Sequence, residues 1–283
     1  MEKWEKLLKK ELGDNMGTWI KKPQYNLLQE ERLLFVGDED EGLLPNAQQC
    51  NLNFLWHENN VYVMDNHLAA GWCWLQICNS SGNYNFMHID QHTDDCCCLS
   101  EKRIKEEFQS SIIGSDLDSY CNLSYEKYGE RVQLFQCERY IRPLSVIYPS
   151  WFGQCVFATH QKRNLIKIQK LVEKKQLVDH LHTPQHIEHT DVVDSILRIK
   201  DTRNKWIVNI DLDYLFQDEE QILSNDFFYE IGDAIKKVRD NIQIITIALS
   251  TPWCNGLRNS LEILSTLANG IPEVKHFSIE EYL

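Results

Sequence analysis

Short, predominantly apolar segments alternate along this chain with segments of helical periodicity, and this alternation constrains the fold more than any other feature. Residues 84–89, 206–210 and 242–249 have the composition of buried strands, whereas residues 163–178 and 226–239 space their apolar side chains as amphipathic helices do. Apolar strands separated by such helices are typical of a mostly parallel sheet with both faces covered. We therefore predict an α/β fold, a three-layer sandwich around a mostly parallel sheet.

The same pattern extends over most of the chain and shows no boundary between domains. Proline and glycine are scarce, with 7 and 12 residues in 283, and no internal repeat or low-complexity linker interrupts the sequence. We therefore interpret residues 1–283 as one domain. We also predict strands at residues 32–36, 60–64 and 154–158, a loop at residues 41–49, and helices at residues 67–77, 100–109, 191–199 and 256–268.

The chain is acidic, with 42 Asp and Glu residues against 29 Lys and Arg residues and a formal net charge of −13. Such a field repels a nucleic-acid backbone, so we expect no nucleic-acid partner. It attracts a cationic substrate, although the same charge also serves solubility alone. The apolar runs are too short to span a bilayer and the N-terminus has no signal-peptide core, so we expect a cytoplasmic protein without a membrane partner.

We predict that two clusters of potential metal ligands, one of cysteines and one of histidines, do not bind a metal. The chain has ten cysteines but no Cys-x-x-Cys pair, and we expect reduced thiols. The three cysteines at residues 96–98 fit small packing residues in a loop better than a thiolate site. A polar connection that contains proline carries four more candidates, which we interpret as part of a solvated loop: His180, His182, His186 and His189.

An Asp-x-His-x-Asp motif follows the predicted strand at residues 84–89. Side chains in a strand alternate between its two faces, so Asp90, His92 and Asp94 begin on the same side. In α/β sheets, ligands bind beyond the carboxyl ends of the strands, which is where this motif lies. His88 lies two residues before Asp90, so its side chain points to the same face of the strand but deeper in the sheet. We expect a buried hydrogen-bond donor there rather than a metal ligand.

Two further strand ends carry the same residue types. Asp211 and Asp213 follow the strand at residues 206–210, and His67 follows the short run at residues 60–64. Crowded carboxylates repel one another unless cations neutralise them, and carboxylate with neutral imidazole suits Mn²⁺. Paired cations can activate a water molecule for hydrolysis. The three strand ends together therefore predict a metal centre.

In the same order along the chain, these strand ends resemble the signature segments of the arginase (ureohydrolase) superfamily. In that family a histidine after one strand is followed by an Asp-Ala-His-x-Asp segment and later by a Ser-x-Asp-x-Asp segment. The resemblance implies an arginase/deacetylase-like fold and two Mn²⁺ ions. It implies one ion held by His67, Asp90, Asp94 and Asp211 and another held by His92, Asp90, Asp211 and Asp213, with Asp90 and Asp211 bridging.

The chain departs from the arginases that act on free arginine. In those enzymes a loop rich in Asn, Ser and Gly follows the Asp-x-His-x-Asp segment and holds the α-groups of the amino acid. Here residues 95–100 read Asp-Cys-Cys-Cys-Leu-Ser instead. The family's glutamate near the last strand is also not evident in residues 248–253. Both departures favour a substrate without free α-groups.

Three local segments resemble a divergent branch of the family that includes the peptide arginases of ribosomal peptide biosynthesis. They are residues 137–143, the Asp65-x-His67 pair and residues 250–252. This resemblance implies a dinuclear manganese hydrolase that converts arginine side chains in a precursor peptide to ornithine and releases urea. The expected partner is therefore an arginine-containing precursor peptide.

Two candidate catalytic residues lie outside the predicted ligand set, and each has a second interpretation. Glu138 can pair a guanidinium group through two hydrogen bonds, or it forms a surface salt bridge with Arg139 or Arg142. His160 follows the strand at residues 154–158, where it can shuttle protons, or it is an exposed histidine at a strand end.

Two other functions compete with the peptide-arginase interpretation. A zinc-dependent deacetylase-like hydrolase of the same superfamily uses one metal and typically a tandem His-His pair. No such pair exists in this chain, and His67, Asp94 and Asp213 favour two metals. A non-catalytic metal-binding module is disfavoured because a structural clip rarely needs so many carboxylates at an open strand end.

Overall fold

One large sheet organises the part of the chain that the computed structural model describes, which is residues 17–23, 52–95, 99–160, 185–217 and 220–279. Several predictions lie outside these residues: the strand at residues 32–36, the loop at residues 41–49, the helix at residues 163–178, the cysteines at residues 96–98, His180 and His182.

The central sheet has eight strands. In spatial order they are β1 (Thr18–Lys21), β2 (Leu55–Glu58), β3 (Val61–Met64), β12 (Ile242–Ala248), β9 (Lys205–Asp211), β4 (Tyr84–Ile89), β7 (Cys155–Ala158) and β8 (Gln185–Ile187). From β3 to β8 in this order the strands run parallel, while β1 and β2 extend the sheet as antiparallel strands. The predicted α/β class and mostly parallel sheet are confirmed.

The connections contain seven α-helices among the described residues: α1 (Ala70–Ile77), α2 (Glu101–Ile112), α3 (Leu117–Cys121), α4 (Ile141–Ile147), α5 (His189–Leu197), α6 (Asp226–Val238) and α7 (Leu257–Thr266). Two small hairpins accompany them, formed by β5 (Ser124–Lys127) with β6 (Glu130–Gln133) and by β10 (Phe216–Gln217) with β11 (Glu220–Gln221). None of these helices is both long enough and apolar enough to cross a bilayer.

Helices cover both faces of the sheet. Consecutive residues of a strand point to opposite faces and therefore contact different helices. In β4, Met87 belongs to a buried cluster that includes side chains of α5, α6 and α7. Its neighbour Phe86 belongs to a second cluster with side chains of α1, α2 and α4. The arrangement is compatible with the three-layer sandwich that the sequence predicts.

The order of the strands places a crevice between β4 and β9. The chain continues from β4 to β7 on one side, whereas it continues from β9 to β12 on the opposite side. Neighbouring parallel strands whose connections diverge leave room for a ligand beyond their carboxyl ends. The motifs that follow β4 and β9 therefore share one crevice.

The polar connection before α5 is partly regular, which corrects the loop interpretation of its histidines. Residues 185–187 form β8, so His186 lies in a strand at the edge of the sheet. His189 is the first residue of α5 and is exposed. Three residues are too few for a strand to be visible in apolar periodicity, and pairing with β7 decides this one.

Candidate metal centre

The carboxyl ends of β3, β4 and β9 bring all six predicted ligands to one end of the sheet. Ile89 of β4 pairs with Ile210 of β9, so Asp90 and Asp211 leave neighbouring strands side by side. Asp211 in turn pairs with Ala248 of β12, which pairs with Met64 at the end of β3. Side-chain alternation places these residues on one face within each strand, and the register of the parallel strands brings them together across strands.

His67 lies at the centre of a first group of carboxylates. Its Nδ1 is 3.2 Å from Oδ2 of Asp90, 3.2 Å from Oδ2 of Asp94 and 3.4 Å from Oδ2 of Asp211. The short helix that begins at His67 is capped by Asn66, whose side chain accepts a hydrogen bond from Leu68 N at 2.9 Å. This cap fixes the direction in which His67 leaves β3.

His92 lies in a second group of carboxylates. Its Nδ1 is 3.3 Å from Oδ2 of Asp213 and 3.5 Å from Oδ1 of Asp90. The two oxygens of Asp90 thus face different histidines, as a bridging ligand requires. Among the described residues Asp211 faces only one histidine, His67, through Oδ2, while its Oδ1 accepts a hydrogen bond of 2.9 Å from the backbone N–H of Asp213.

Backbone groups hold the carboxylates in place. The N–H of His92 donates to Oδ1 of Asp90 at 2.6 Å, and the N–H of Gln91 donates to Oδ1 of Asp213 at 3.1 Å. Asp94 has a φ of 48°, a left-handed conformation that side-chain-bearing residues adopt rarely and that is often found at functional sites. The loop after β4 therefore turns sharply to bring Asp94 back to His67.

The cluster is deeply buried on its carboxylate side. The side chains of Asp90, Asp94, Asp211 and Asp213 are at most 7% exposed, whereas that of His92 is 32% exposed. Four carboxylates in so small a volume repel one another and lose hydration, which is costly without compensating positive charge.

The histidines become strongly basic in this field. Burial lowers the pKa of His67, but Asp211, Asp90 and Asp94 outweigh burial and hold this pKa well above its ordinary value. Burial also lowers the pKa of His92, yet Asp213 and Asp90 raise it to about 12. In the absence of a cation, the two imidazoles supply the positive charge that the carboxylates need.

The pKa values of the four carboxylates do not all shift in the same direction. Burial, with repulsion from neighbouring carboxylates, raises the pKa of Asp94, Asp211 and Asp213. Burial also opposes charge on Asp90, but the three histidines around it (His88, His67 and His92) hold its pKa well below the ordinary value. Asp90 is therefore the carboxylate whose ionised form the cluster favours most.

The donor set fits divalent cations. Within the described residues, buried Oδ2 of Asp90 accepts no aligned hydrogen bond, although Nδ1 of His67 lies 3.2 Å away, and a bound cation would satisfy this oxygen. Three groups have ligand atoms within 4.8 Å of one another: His67 with Asp90 and Asp211, Asp90 with His92 and Asp213, and His88 with Asp90 and Asp94. Carboxylate oxygens with imidazole nitrogens suit Mn²⁺, Zn²⁺ and related ions.

Both ring nitrogens of His88 are already engaged, so its geometry fits the predicted supporting role. Nε2 lies 3.2 Å from the carbonyl oxygen of His92, and Nδ1 lies 2.9 Å from the amide nitrogen of Asn209. Burial lowers the pKa of His88 to about 4, so the ring is neutral. It then donates through Nε2 and accepts through Nδ1, which leaves no lone pair for a cation.

Asn209 is the residue that the sequence analysis missed. It lies in β9 two positions before Asp211, on the same face, and its side chain is fully buried. Its amide nitrogen is 2.9 Å from the hydroxyl of Tyr140 and 3.2 Å from Nε2 of His67, and its oxygen accepts from Thr246 at 2.6 Å. A polar residue in phase with a ligand motif on a buried strand is the signal that could have identified it.

The two candidate catalytic residues lie in different settings. His160 is half-buried, its Nε2 is 2.7 Å from the carbonyl oxygen of Tyr214, and its ring stacks on that tyrosine at 4.6 Å. Its backbone N–H bonds to Gln91 O at 3.2 Å, which places it beside the loop of His92. The Glu138 side chain is 60% exposed and pairs with Arg139 at 3.1 Å, the surface salt bridge of the second interpretation.

A comparison of the chain with protein-family models, with curated protein sequences and with solved structures finds no match. The resemblance of the ligand motifs to those of the arginase superfamily therefore stays a prediction from the sequence.

Proposed function

We propose that this chain is a hydrolase that uses two divalent cations at the carboxyl ends of β3, β4 and β9. The observation that carries the proposal is the orientation of Asp90, whose Oδ2 faces His67 and whose Oδ1 faces His92. Each side of this carboxylate belongs to a separate three-residue ligand group, completed by Asp211 and by Asp213. A carboxylate shared by two groups is what a two-metal hydrolytic site needs.

The ions that we propose are Mn²⁺, because the donors are carboxylates and imidazoles without thiolates. His67, Asp94 and Asp211 would hold one ion, His92 and Asp213 the other, and Asp90 both. When bound, such cations neutralise the carboxylates, lower the pKa of a water nucleophile and polarise the carbon it attacks. The hydrogen bonds from backbone N–H groups keep the ligand oxygens in position before a substrate arrives.

His160 is the proposed proton carrier of the reaction. Its Nε2 faces the carbonyl oxygen of Tyr214, so Nε2 carries the hydrogen and Nδ1 keeps a free lone pair. Stacking on the Tyr214 ring holds the imidazole plane in a fixed orientation. Nδ1 can then take a proton from the attacking water and return it to the leaving amine.

The proposed substrate is the guanidinium group of an arginine residue within a peptide, and the products are urea and an ornithine residue. The order of the ligand motifs supports a guanidinium substrate, and the Asp-Cys-Cys-Cys sequence after Asp94 supports a substrate without free α-groups. Glu138 is the proposed guanidinium partner. Its present partner is Arg139, so a substrate guanidinium would replace one cationic group by another.

A one-metal, deacetylase-like hydrolase is the second candidate, and two observations favour it. Asp90, His92 and Asp213 form a complete three-ligand group, and His92 is the most exposed of the six predicted ligands. In addition, among the described residues Asp211 faces a single histidine, His67, through Oδ2.

One experiment separates these candidates. The purified protein is loaded with Mn²⁺ or with Zn²⁺ and incubated with an arginine-containing peptide and with an acetyl-lysine peptide of otherwise equal sequence. We expect urea and a peptide that has lost the mass difference between arginine and ornithine, with Mn²⁺ only. The Asp213→Ala variant is the control for a contaminating activity. Acetate release with Zn²⁺ and no urea with Mn²⁺ would instead establish the deacetylase-like function.

A further inference from the structure

Trp253 is an exposed aromatic side chain beside His92 of the candidate metal centre. It is 39% exposed, and its ring centroid is 6.1 Å from that of His92 at an interplanar angle of 65°. His92 is the exposed ligand, whereas the carboxylates beneath it are at most 7% exposed. Among the described residues, His92 and the indole of Trp253 therefore lie on the exposed side of the cluster.

The loop that carries Trp253 is tied to the metal centre. Ser250 begins this loop with a φ of 41°, and its carbonyl oxygen accepts the N–H of Trp253 at 2.9 Å and of Cys254 at 3.1 Å. The N–H of Gly256 bonds back to the carbonyl oxygen of Thr251 at 2.7 Å. The hydroxyl of Ser250 also donates to Asp211, so the start of this loop is tied to a predicted ligand.

A tryptophan left this exposed forgoes much of the free energy that burial of its ring would provide. Backbone hydrogen bonds from Trp253, Cys254 and Gly256 hold the loop in the conformation that leaves the ring exposed. An indole face exposed beside a site is suited to an apolar group of a ligand. The reacting head group of the ligand lies deeper, among the charges.

We propose that Trp253 is a substrate-contact residue that packs against the methylene stem of the target arginine. The proposal rests on the proposed function, since it takes the guanidinium to be the reacting group. With that group among the buried ligands, the three methylene groups extend outward past His92, and the peptide backbone stays outside. The indole then selects a long, unbranched stem and contributes to binding more than to the chemical step.

The test compares wild-type protein, Trp253→Ala and Trp253→Phe, with Tyr229→Ala as a control because Tyr229 is an exposed aromatic residue on α6. The substrate is arginine capped at both ends, and capped ornithine serves as an inhibitor that keeps the stem. For Trp253→Ala we expect KM and the ornithine inhibition constant to rise by about tenfold, which is the size of losing about two methylene contacts. We expect kcat to change little and Trp253→Phe to recover most of the binding.

A binding measurement keeps this inference separate from the proposed function. Capped arginine should quench tryptophan fluorescence in the wild-type protein and not in Trp253→Phe, whether or not urea is formed. Urea formation with an unchanged KM in Trp253→Ala would overturn the inference and leave the proposed function intact. Loss of Mn²⁺ from Trp253→Ala would also overturn it, since Trp253 would then act only by supporting His92. Equal quenching in the wild-type protein and in Trp253→Phe would overturn it as well.

Discussion

The hydroxyl of Ser250 donates a hydrogen bond of 2.5 Å to Oδ2 of Asp211, the oxygen that faces His67. This bond joins the loop after β12 to the end of β9. Ser250 adopts a left-handed backbone conformation to make it, with a φ of 41°. A residue that supports a ligand in this way orients the ligand oxygen without touching the cation.

Replacing Ser250 by glycine should weaken Mn²⁺ binding while leaving the fold intact. Glycine accepts the positive φ without strain but removes the hydroxyl, so Asp211 loses its orienting partner. We expect the affinity for Mn²⁺ to fall by about tenfold, measured by titration calorimetry. Ser265→Gly is the control, because Ser265 is exposed and its hydroxyl donates to the carbonyl oxygen of Glu262 in its own helix. An unchanged affinity in Ser250→Gly would show that the bond does not orient the ligand.

The number of metal ions bound per chain should distinguish Asp90, which would be shared by two ions, from Asp213, which would bind one. Asp90→Ala removes a carboxylate that faces both His67 and His92, so neither ion should remain bound and activity should be lost. Asp213→Ala removes a neighbour of His92 only, so one ion should remain. Both proteins should still fold, because each substitution also removes repulsion within the cluster. Mass spectrometry of the metal content gives the stoichiometry, and equal metal loss in the two variants would contradict the shared role of Asp90.

Mn²⁺ binding should release protons and should strengthen as the pH rises. Without a cation the pKa of His67 is held well above its ordinary value and that of His92 at about 12. Both rings are therefore doubly protonated, positively charged imidazolium groups at neutral pH. A cation needs the neutral imidazole and displaces this proton, so a lower pH opposes binding. Calorimetry in two buffers of different ionisation enthalpy measures the number of protons released. A binding heat that is independent of the buffer would refute the expectation.

Asn209→Ala should destabilise the protein even without a cation. The substitution leaves the buried hydroxyls of Tyr140 and Thr246 and the ring of His88 without their common partner. We expect the free energy of unfolding to fall by about 3 kcal/mol, since each unsatisfied buried polar group costs about 1–3 kcal/mol. Urea denaturation in the presence of a chelator measures this loss. Asn122→Ala, at an exposed position, should change stability by less than about 0.5 kcal/mol.

The grouping of the candidate ligands could be predicted because it depends on local geometry. The alternation of side chains along β4 and β9 puts Asp90 and Asp211 in phase with their neighbours whatever surrounds the strands. In a parallel sheet the carboxyl ends of all strands then lie at the same end of the sheet. The central parallel strands and most of the predicted helices, such as that at Asp226–Val238, follow from periodicity in the same way.

The antiparallel strands β1 and β2 were not predicted: β1 is stabilised by pairing with a distant segment, and β2 pairs on one side with β1 and on the other with β3 in a short hairpin. Thr18–Lys21 pairs with Leu55–Glu58 across more than thirty residues of chain, and neither segment has a distinctive pattern of its own. The insertion of β12 between β3 and β9 is also a property of the whole sheet. That insertion brings Thr246 to Asn209 and Ser250 to Asp211.

The residue types that follow the central strands, and with them a chemistry of carboxylates and imidazoles, could be read directly from the amino-acid order. The tertiary structure decided which oxygen of each carboxylate faces which histidine, that Asn209 lies beneath His67, and that Trp253 stands beside His92. The physical reason is that side-chain parity depends on one strand, whereas these contacts depend on the order and register of several strands and on the loops between them.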